Sequence, residues 1–170
     1  MQKSKYFIIL IYLVLLSAFF LNADPNGGAF KDYQNHLIVI NDFKENFFKT
    51  LFNYDNYETR HSPVLYSILS FFYYLEVPEK IIRLFFVHIG ILLPIIFYKC
   101  LKLKFVSSNK EILFLFSCLI LLSPSFWSLT IWPDSRIFGL ILFCISIFYF
   151  LKFEKDKKLN NSIKCILSYS

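Results

Sequence analysis

Long apolar runs alternate with short polar segments along most of this chain. Four of the runs, at 6–22, 81–98, 111–132 and 136–151, have the composition of membrane-spanning helices. Runs of about 20 apolar residues match the length needed to cross the hydrocarbon core of a bilayer. The pattern therefore predicts an all-α fold, a polytopic transmembrane helix bundle of about four spans forming one membrane domain over 1–170.

The first apolar run admits two interpretations. Lys3 and Lys5 precede it, and the small residue Ala23 follows just before Asp24 and Pro25, as at the cleavage site of a signal peptide. A retained first helix fits the same residues and is favoured, because further predicted spans follow. In either case the next segment is delivered to the outer side of the membrane.

The segment 23–80 is the polar exception between the first two predicted spans. Over 36–51, apolar residues recur at spacings of three and four, which predicts an amphipathic helix lying in the membrane interface. Residues 52–60 read as irregular loop. A second interfacial helix is expected at 63–75, starting at Pro63, because a proline in the first turn removes no hydrogen bond that the helix needs.

The basic residues decide whether the helix at 63–75 crosses the membrane. They form three groups, near the N-terminus, within 99–110 and within 152–164, and each group adjoins an apolar run. All three groups lie on the cytoplasmic side only if 63–75 stays on the surface, as the positive-inside rule favours. The predicted protein is therefore integral and multi-pass, with both termini cytoplasmic. The segment 23–80 lies outside, and 152–170 is a cytoplasmic tail without a folded element.

Composition supports a membrane protein and argues against some partners. The chain is 56% hydrophobic and 21% aromatic, with a mean hydropathy of +0.53. Its net charge of +6 is concentrated at the ends of the apolar runs, so nucleic-acid binding is not expected. The four cysteines stand singly in or beside apolar runs, which argues against a disulfide framework or a thiolate metal site.

Ionisable residues in or beside the predicted spans have structural and functional interpretations. Arg83, near the start of the second span, is expected to snorkel towards the interface, and His88 to stay neutral against a neighbouring helix. A direct functional role is the less favoured interpretation for both. Asp134 either caps the fourth span or, with Arg136, presents a carboxylate and a guanidinium at the outer face.

The polar loop contains residue types suited to group transfer. GxGxxG, P-loop, GxSxG and HExxH motifs are absent from the sequence. His36 and His61 lack the spacing of a recognisable zinc motif, so no cofactor is indicated, although a divalent metal stays open. Asp32 has the chemistry of a base towards an acceptor hydroxyl or amine. Arg60 and His61 have that of ligands for an anionic leaving group.

The order of these features resembles that of a known family. The residues that carry the resemblance are Gly27-Gly28-Ala29-Phe30-Lys31-Asp32-Tyr33, His61-Ser62-Pro63-Val64-Leu65-Tyr66, Leu122-Ser123-Pro124 and Asp134. The chain is similar to the N-terminal half of the C-type membrane glycosyltransferases, which depend on polyprenyl-phosphate-linked sugars. This superfamily includes the protein mannosyltransferases, the aminoarabinose transferases of lipid A and the rhizobial core-sugar transferases.

The resemblance implies a function in the cell envelope. A sugar would move from a polyprenyl-phosphate donor in the membrane lipid to an acceptor, of unspecified identity, on the outer face. Asp32 resembles the catalytic carboxylate of the family's first loop. Asp134 resembles the acidic residue between the third and fourth spans, and the resemblance implies that it assists Asp32 in catalysis. The expected substrate-binding residues are Arg60, His61, Tyr66 and Arg136.

The chain also departs from the family pattern. Tyr33 stands where the family often has Glu, and Ser62 occupies the second position of its His-Pro-Pro element. Because these enzymes usually have many more spans, the chain is expected to be an N-terminal portion or truncated product that is inactive alone. The alternative is a non-catalytic four-span protein that scaffolds or assists a membrane complex. A transporter or flippase fragment is less favoured, because few polar residues line the spans.

Overall fold

The computed structural model describes residues 2–23, 28–59 and 61–169, and this part of the chain is helical with no strand. The predicted all-α fold is confirmed. The helices are α1 (Gln2–Phe20), α2 (Ala29–Glu45), α3 (Phe47–Phe52), α4 (Pro63–Tyr74), α5 (Glu79–Lys104), α6 (Lys110–Cys118), α7 (Pro124–Ile131), α8 (Ser135–Asp156) and α9 (Leu159–Tyr169). Short 3-10 turns at Tyr54–Tyr57 and Leu119–Leu122 precede α4 and α7.

Two helices, α5 and α8, are long and apolar enough to cross a membrane. The bent pair Lys110–Leu122 and Pro124–Ile131, whose two parts differ in direction by 69°, counts as a third candidate if it is taken as one span. Length and composition thus fit a membrane protein with two or three spans. Helix α1 occupies the first predicted span, and its crossing of the membrane stays a prediction.

The continuous span predicted at 111–132 is broken in the structure. Ser123 adopts an extended backbone (φ −76°, ψ 122°), and its side chain accepts a hydrogen bond from the Phe126 amide at the start of α7. Pro124 follows in the first turn, where its missing N–H is tolerated, and it disfavours a helical conformation for the residue before it. The Ser-Pro pair therefore ends one helical segment and begins another in a new direction.

The loop between α1 and α5 contains two helices where one was predicted at 36–51. Helix α2 begins at Ala29 and ends at Glu45, and α3 follows as a separate element. Between them Asn46 has a non-helical backbone (φ −149°, ψ 85°), and its side-chain oxygen accepts a hydrogen bond from the Lys49 amide at 3.2 Å. Because asparagine is among the best N-cap residues, it ends α2 and starts α3.

Helix α4 starts as its sequence suggests. Pro63 lies in its first turn, and the Ser62 side chain accepts a hydrogen bond from the Val64 amide. Helix α4 packs against α2, and residues from both helices join one core with α1, α5 and the corner between α7 and α8. The largest fully buried side chains in this core include Leu15, Tyr33, Ile40, Phe43, Tyr66, Phe86 and Ile137.

Arg83 does not snorkel, contrary to the expectation from sequence. The residue is only 6% exposed. Its guanidinium carbon lies 3.6 Å from the centroid of the Trp132 ring, its Nε donates to the Ile131 carbonyl at 3.1 Å, and its Nη1 donates to Asn22 Oδ1 at 2.8 Å. An aromatic face and two oxygen acceptors compensate for part of the burial of its charge, while Nη2 has no hydrogen-bond partner in the described part of the chain. Arg83 thereby joins the end of α1 and the α7–α8 corner to α5.

His88 forms the second polar link between α5 and α1. Its Nδ1 lies 2.7 Å from the Leu84 carbonyl, and its Nε2 lies 2.9 Å from the Tyr12 hydroxyl. A carbonyl only accepts, so Nδ1 donates to Leu84. The contact with Tyr12 places the His88 ring against the neighbouring helix α1, as predicted.

The C-terminal segment is folded, which corrects the expectation of a tail without structure. Helix α9 folds back on α8, where Ser146 Oγ donates to the Cys165 carbonyl at 3.1 Å. The turn between them is held by Asn161 Nδ2, which donates to both carboxylate oxygens of Asp156 at 3.0 and 2.9 Å. Local capping by Asp156 and Asn161 thus builds a helical hairpin from a sequence whose apolar stretch is short.

Gly90 permits close packing between α5 and α7 and gives a first test of the fold. A Cβ atom built at residue 90 collides with Thr130 Cγ2, and the nearest Phe126 ring atom is at 3.4 Å. The Thr130 hydroxyl is engaged by the Phe126 and Trp127 carbonyls, each at 3.0 Å, so the side chain does not turn away freely. We expect Gly90→Ala to lower the free energy of unfolding by on the order of 1–3 kcal/mol, measured by thermal unfolding in detergent micelles.

Gly139→Ala is the matched control. No atom lies within 4 Å of a Cβ at this position in α8, and alanine is the better helix former. The control is expected to be neutral or to gain up to about 1 kcal/mol. Equal losses in both variants would show that the effect at residue 90 does not come from the contact with Thr130.

Candidate functional site

Asp32, Asp134 and Arg136 meet where the N-terminus of α8 approaches α2. The Arg136 Nε donates to both carboxylate oxygens of Asp134, at 2.9 and 3.0 Å, and Nη2 donates to Asp134 Oδ2. The same Nη2 lies 3.3 Å from Asp32 Oδ2. One guanidinium therefore joins two carboxylates, although Arg136 and Asp32 are 104 positions apart in sequence.

The local sequence explains the position of Asp134. Its backbone is extended (φ −136°, ψ 139°), and its Oδ1 accepts a hydrogen bond from the Arg136 amide at 2.7 Å, which caps α8. The sequence left open whether Asp134 caps the helix or pairs with Arg136. The structure shows that one carboxylate does both, because its two oxygens face the helix end and the guanidinium together.

The two carboxylates differ in access to solvent. The side chain of Asp134 is 3% exposed, whereas those of Asp32 and Arg136 are 46% and 53% exposed. Asp32 also lies in the first turn of α2, where a negative charge is favoured by the helix dipole. Asp32 is thus the carboxylate that a substrate can reach, and Asp134 is the buried partner behind the guanidinium.

Trp132 fixes the position of α2 relative to this corner. The Phe30 and Tyr33 rings lie 4.6 and 5.8 Å from the Trp132 ring, centroid to centroid. The guanidinium of Arg83 packs on the same indole, and Tyr33 is held further by its hydroxyl, 2.6 Å from that of Tyr73 in α4. Asp32, which precedes Tyr33, is therefore carried to Arg136 by apolar and aromatic packing as well as by charge.

Two histidines lie beside the ion cluster. The ring centroids of His36 and His61 are 4.8 Å apart, and His61 Nδ1 is 2.8 Å from the hydroxyl of Ser135, the first residue of α8. The Tyr54 hydroxyl donates to the His61 carbonyl at 2.7 Å, which holds the start of α4 in place. The structure thus brings the predicted His61 next to the segment that carries Asp134 and Arg136.

Tyr66, a predicted substrate-binding residue, lies in the core next to the site. Tyr66 is fully buried, packs edge-on against the His36 ring at 5.1 Å between centroids, and has its hydroxyl 3.2 Å from Thr59 Oγ1. It packs against His36 in the core instead of facing solvent. Arg60 lies outside the described residues.

His36 belongs to the site although the sequence-based prediction assigned it no role. It is 8% exposed, and its Nδ1 has no hydrogen-bond partner in the described part of the chain. Burial lowers the pKa of His36 below the usual 6.5, nearby His61 lowers it further, and the charges of Asp134 and Asp32 oppose the shift. His36 was detectable as one of the positions on the buried stripe of α2, but that stripe predicts packing only.

The described residues contain no group of three or more His, Cys, Asp or Glu side chains placed to hold a metal ion. Between the two carboxylates the positive charge comes from Arg136, which forms a bidentate contact with one carboxylate and a single contact with the other. Such a guanidinium also matches the geometry of a phosphate group. The arrangement is therefore suited to hold a phosphate at Arg136 next to a group from which Asp32 removes a proton.

Acidification tests the buried state of His36. The pKa of His36 is lower in the folded chain than in the unfolded chain, so the unfolded chain binds a proton at higher pH. The contribution of neutral His36 to the stability of the fold is therefore complete above pH 6.5. It falls as the pH drops through 6.5 towards the folded pKa. We expect the melting temperature in detergent to fall between about pH 7 and about pH 5. The variant His36→Phe, which keeps an aromatic ring against Tyr66, should show a weaker fall, and a wild-type slope in this variant would contradict the assignment.

No protein-family model, curated protein or solved structure matches the chain.

Proposed function

We propose that this chain is a membrane glycosyltransferase, or the N-terminal part of one. It moves a sugar from a polyprenyl-phosphate donor to an acceptor on the outer face of the membrane. The observation that carries the proposal is the contact between the half-exposed Asp32 and Arg136 at the start of α8, a candidate span. A base, Asp32, and a residue that binds phosphate, Arg136, then lie side by side where a lipid-linked substrate meets water.

The transfer step uses Asp32 as the general base. Asp32 takes the proton of the acceptor hydroxyl or amine, and the acceptor atom forms a bond to the anomeric carbon of the sugar. The bond between that carbon and the phosphate oxygen breaks, and the polyprenyl phosphate leaves with the electron pair. The partial exposure of Asp32 gives an acceptor access to its carboxylate.

Arg136 binds the phosphate of the donor in this proposal. Its Nη2 contacts Asp32 at 3.3 Å in the structure, so an arriving phosphate competes with Asp32 for that nitrogen. Binding of the donor thereby releases the Asp32 carboxylate to accept a proton. His61 and the first turn of α8 lie close by, and the N–H groups of a helix start favour an anion.

Asp134 acts as a positioning residue. It is nearly fully buried, caps α8 and accepts hydrogen bonds from two nitrogens, Nε and Nη2, of the Arg136 guanidinium. These contacts leave it no free face towards solvent, which suits a support for Arg136 better than a second base. The earlier expectation that Asp134 assists Asp32 in catalysis thus becomes a proposal that it orients Arg136.

Apolar surface near the site suits the isoprenoid part of a donor. A shallow concavity of about 430 Å³ lies between α3 and α4, with Phe47, Leu51, Val64, Ile68 and Phe71 among its lining residues. In this proposal α1 and the bent pair complete four spans with α5 and α8. The segment 23–80 then lies on the outer face, and both termini are cytoplasmic.

A non-catalytic role, as a scaffold or assistant of a membrane complex, is the second candidate. The observation in its favour is that Arg136 already contacts both carboxylates, as in an ion cluster that only joins two helices. Under this alternative Asp32 and His61 tolerate alanine with no loss of function beyond stability.

Replacing Asp32 tests the proposal. A full-length version, which contains this chain together with any further spans of the enzyme, is reconstituted in liposomes with a panel of radiolabelled undecaprenyl-phosphate sugars and a membrane extract as the source of acceptors. Because a positioned general base contributes about 10²–10⁴-fold to a rate, Asp32→Asn should reduce transfer by roughly 10²-fold or more while leaving membrane insertion intact. Asp55→Asn, an exposed carboxylate in the Tyr54–Tyr57 turn, is the matched control and should keep the wild-type rate.

The outcomes separate the two candidates. A wild-type transfer rate in the Asp32→Asn variant would show that Asp32 is not the base. Absence of transfer from every donor by the full-length version, with normal insertion, would favour the non-catalytic role.

A further inference from the structure

An apolar groove with a basic mouth lies at the end of α5 that leads into α6, away from the site described above. It encloses about 550 Å³ between the last turns of α5, the connection 105–109 and the first turns of α6. We propose that this groove binds one acyl chain of an anionic phospholipid, with the lipid phosphate at the lysines around its mouth. The proposal is independent of the glycosyltransferase function.

Both walls of the groove are apolar stripes. Phe97 and Leu101 lie four residues apart on one side of α5, and Phe105 follows at the same spacing directly after the helix. Ile112 and Phe116 face them from α6 with the same spacing. The two stripes line the cavity of about 550 Å³ between the helices.

The groove has an apolar end and a polar end, as a phospholipid has. Ser108 and Asn109 line it at the connection between the helices. Phe97 lies eight residues before Phe105, about 12 Å further along α5 at 1.5 Å per residue. This depth is most of the hydrocarbon of one leaflet, which is roughly 15 Å, half of the bilayer core. An acyl chain that follows α5 from the polar end therefore stays within one leaflet.

The charge at the polar end selects an anionic head group. The stretch 99–111 contains four lysines and one acidic residue, Glu111. Lys104 directly precedes the lining residue Phe105, and Lys110 directly follows the lining residue Asn109; both lysines are exposed. By the positive-inside rule this end faces the cytoplasm, where anionic lipids attract basic segments.

Exposure of the walls points to lipid as the occupant. Phe97, in the candidate span α5, is 41% exposed. Ile112 and Phe116, in the first part of the bent candidate, are 51% and 59% exposed. Large apolar side chains uncovered by protein at this depth meet hydrocarbon. A second copy of the chain would cover them as well, but it would bring the same four lysines to the contact, and like charges would oppose it.

Native mass spectrometry of the detergent-purified protein tests the proposal. The protein is mixed with equal amounts of phosphatidylglycerol and phosphatidylcholine that have identical acyl chains. We expect one phosphatidylglycerol to be retained in preference to phosphatidylcholine. In the double variant Lys104→Gln with Lys110→Gln, the preference should fall on the order of tenfold, because each lysine near the head group contributes to anionic-lipid binding.

A groove variant and a matched charge control complete the experiment. Ile112→Trp fills the groove from an exposed position and should remove the retained lipid, with an unchanged helical circular-dichroism spectrum. Lys155→Gln with Lys158→Gln removes the same charge from the last turn of α8 and the turn that follows it, which do not line the groove. This control should keep the preference.

Several results would overturn the proposal. These are equal retention of both lipids, loss of the preference in the Lys155 and Lys158 control, and retention of lipid by the filled groove. Dimerisation that the tryptophan abolishes, without bound lipid, would assign the groove to a second copy instead. If Ile112→Trp fails to fold, the two lysine pairs alone decide the question.

Discussion

The stacking of the Arg83 guanidinium on the Trp132 indole is the contact on which the rest of the structure depends. A charge that is 94% buried is strongly unfavourable unless it is satisfied, so its partners become fixed points. Arg83 takes the indole face, the Ile131 carbonyl, the Asn22 side chain and a longer contact to Glu79 at 3.9 Å. These partners come from the end of α1, from α5 and from the α7–α8 corner, which are thereby held together.

The candidate site is a consequence of this junction. Trp132 also contacts the rings of Phe30 and Tyr33, which places the first turns of α2 next to the start of α8. Asp32 then lies next to Arg136, whose own position follows from the cap that Asp134 places on α8. Two carboxylates against one guanidinium leave a local excess of negative charge. In the proposed mechanism a phosphate displaces Asp32 from Arg136, and this links donor binding to release of the base.

Features set by neighbouring residues were predictable from the sequence, and features set by distant residues were not. Pro63 marks the start of α4, and Asp134 the start of α8, because caps and first-turn prolines act within one helical turn. The break at Asn46 was missed because an asparagine on the polar face of an amphipathic pattern looks the same whether it caps or continues a helix. Arg83 was misjudged since its acceptors and its aromatic partner lie 48 to 61 positions away.

The site followed the same division. Asp32, Asp134, His61 and Arg136 were chosen from residue type, order and family resemblance, and the structure places them around the start of α8. Their pairing could not be read from the sequence, because it depends on the aromatic contacts of Trp132. Tyr66 was predicted to bind substrate but is buried, whereas His36 was assigned no role but lies in the site. Both lie on helix faces turned to the α2–α4 contact, where burial is decided by packing and not by residue type.

The most direct measurement of the central claim is a cysteine cross-link between positions 32 and 136. It is made in intact membranes with a short bismaleimide, after replacement of the four native cysteines. The packing of Phe30 and Tyr33 on Trp132 should keep the two positions adjacent after the ion pair is removed, so the 32/136 pair should cross-link in high yield. The pair 42/136, about 15 Å further along α2 at 1.5 Å per residue, should not. Equal yields, or a higher yield from 42/136, would contradict the placement of Asp32 at the start of α8.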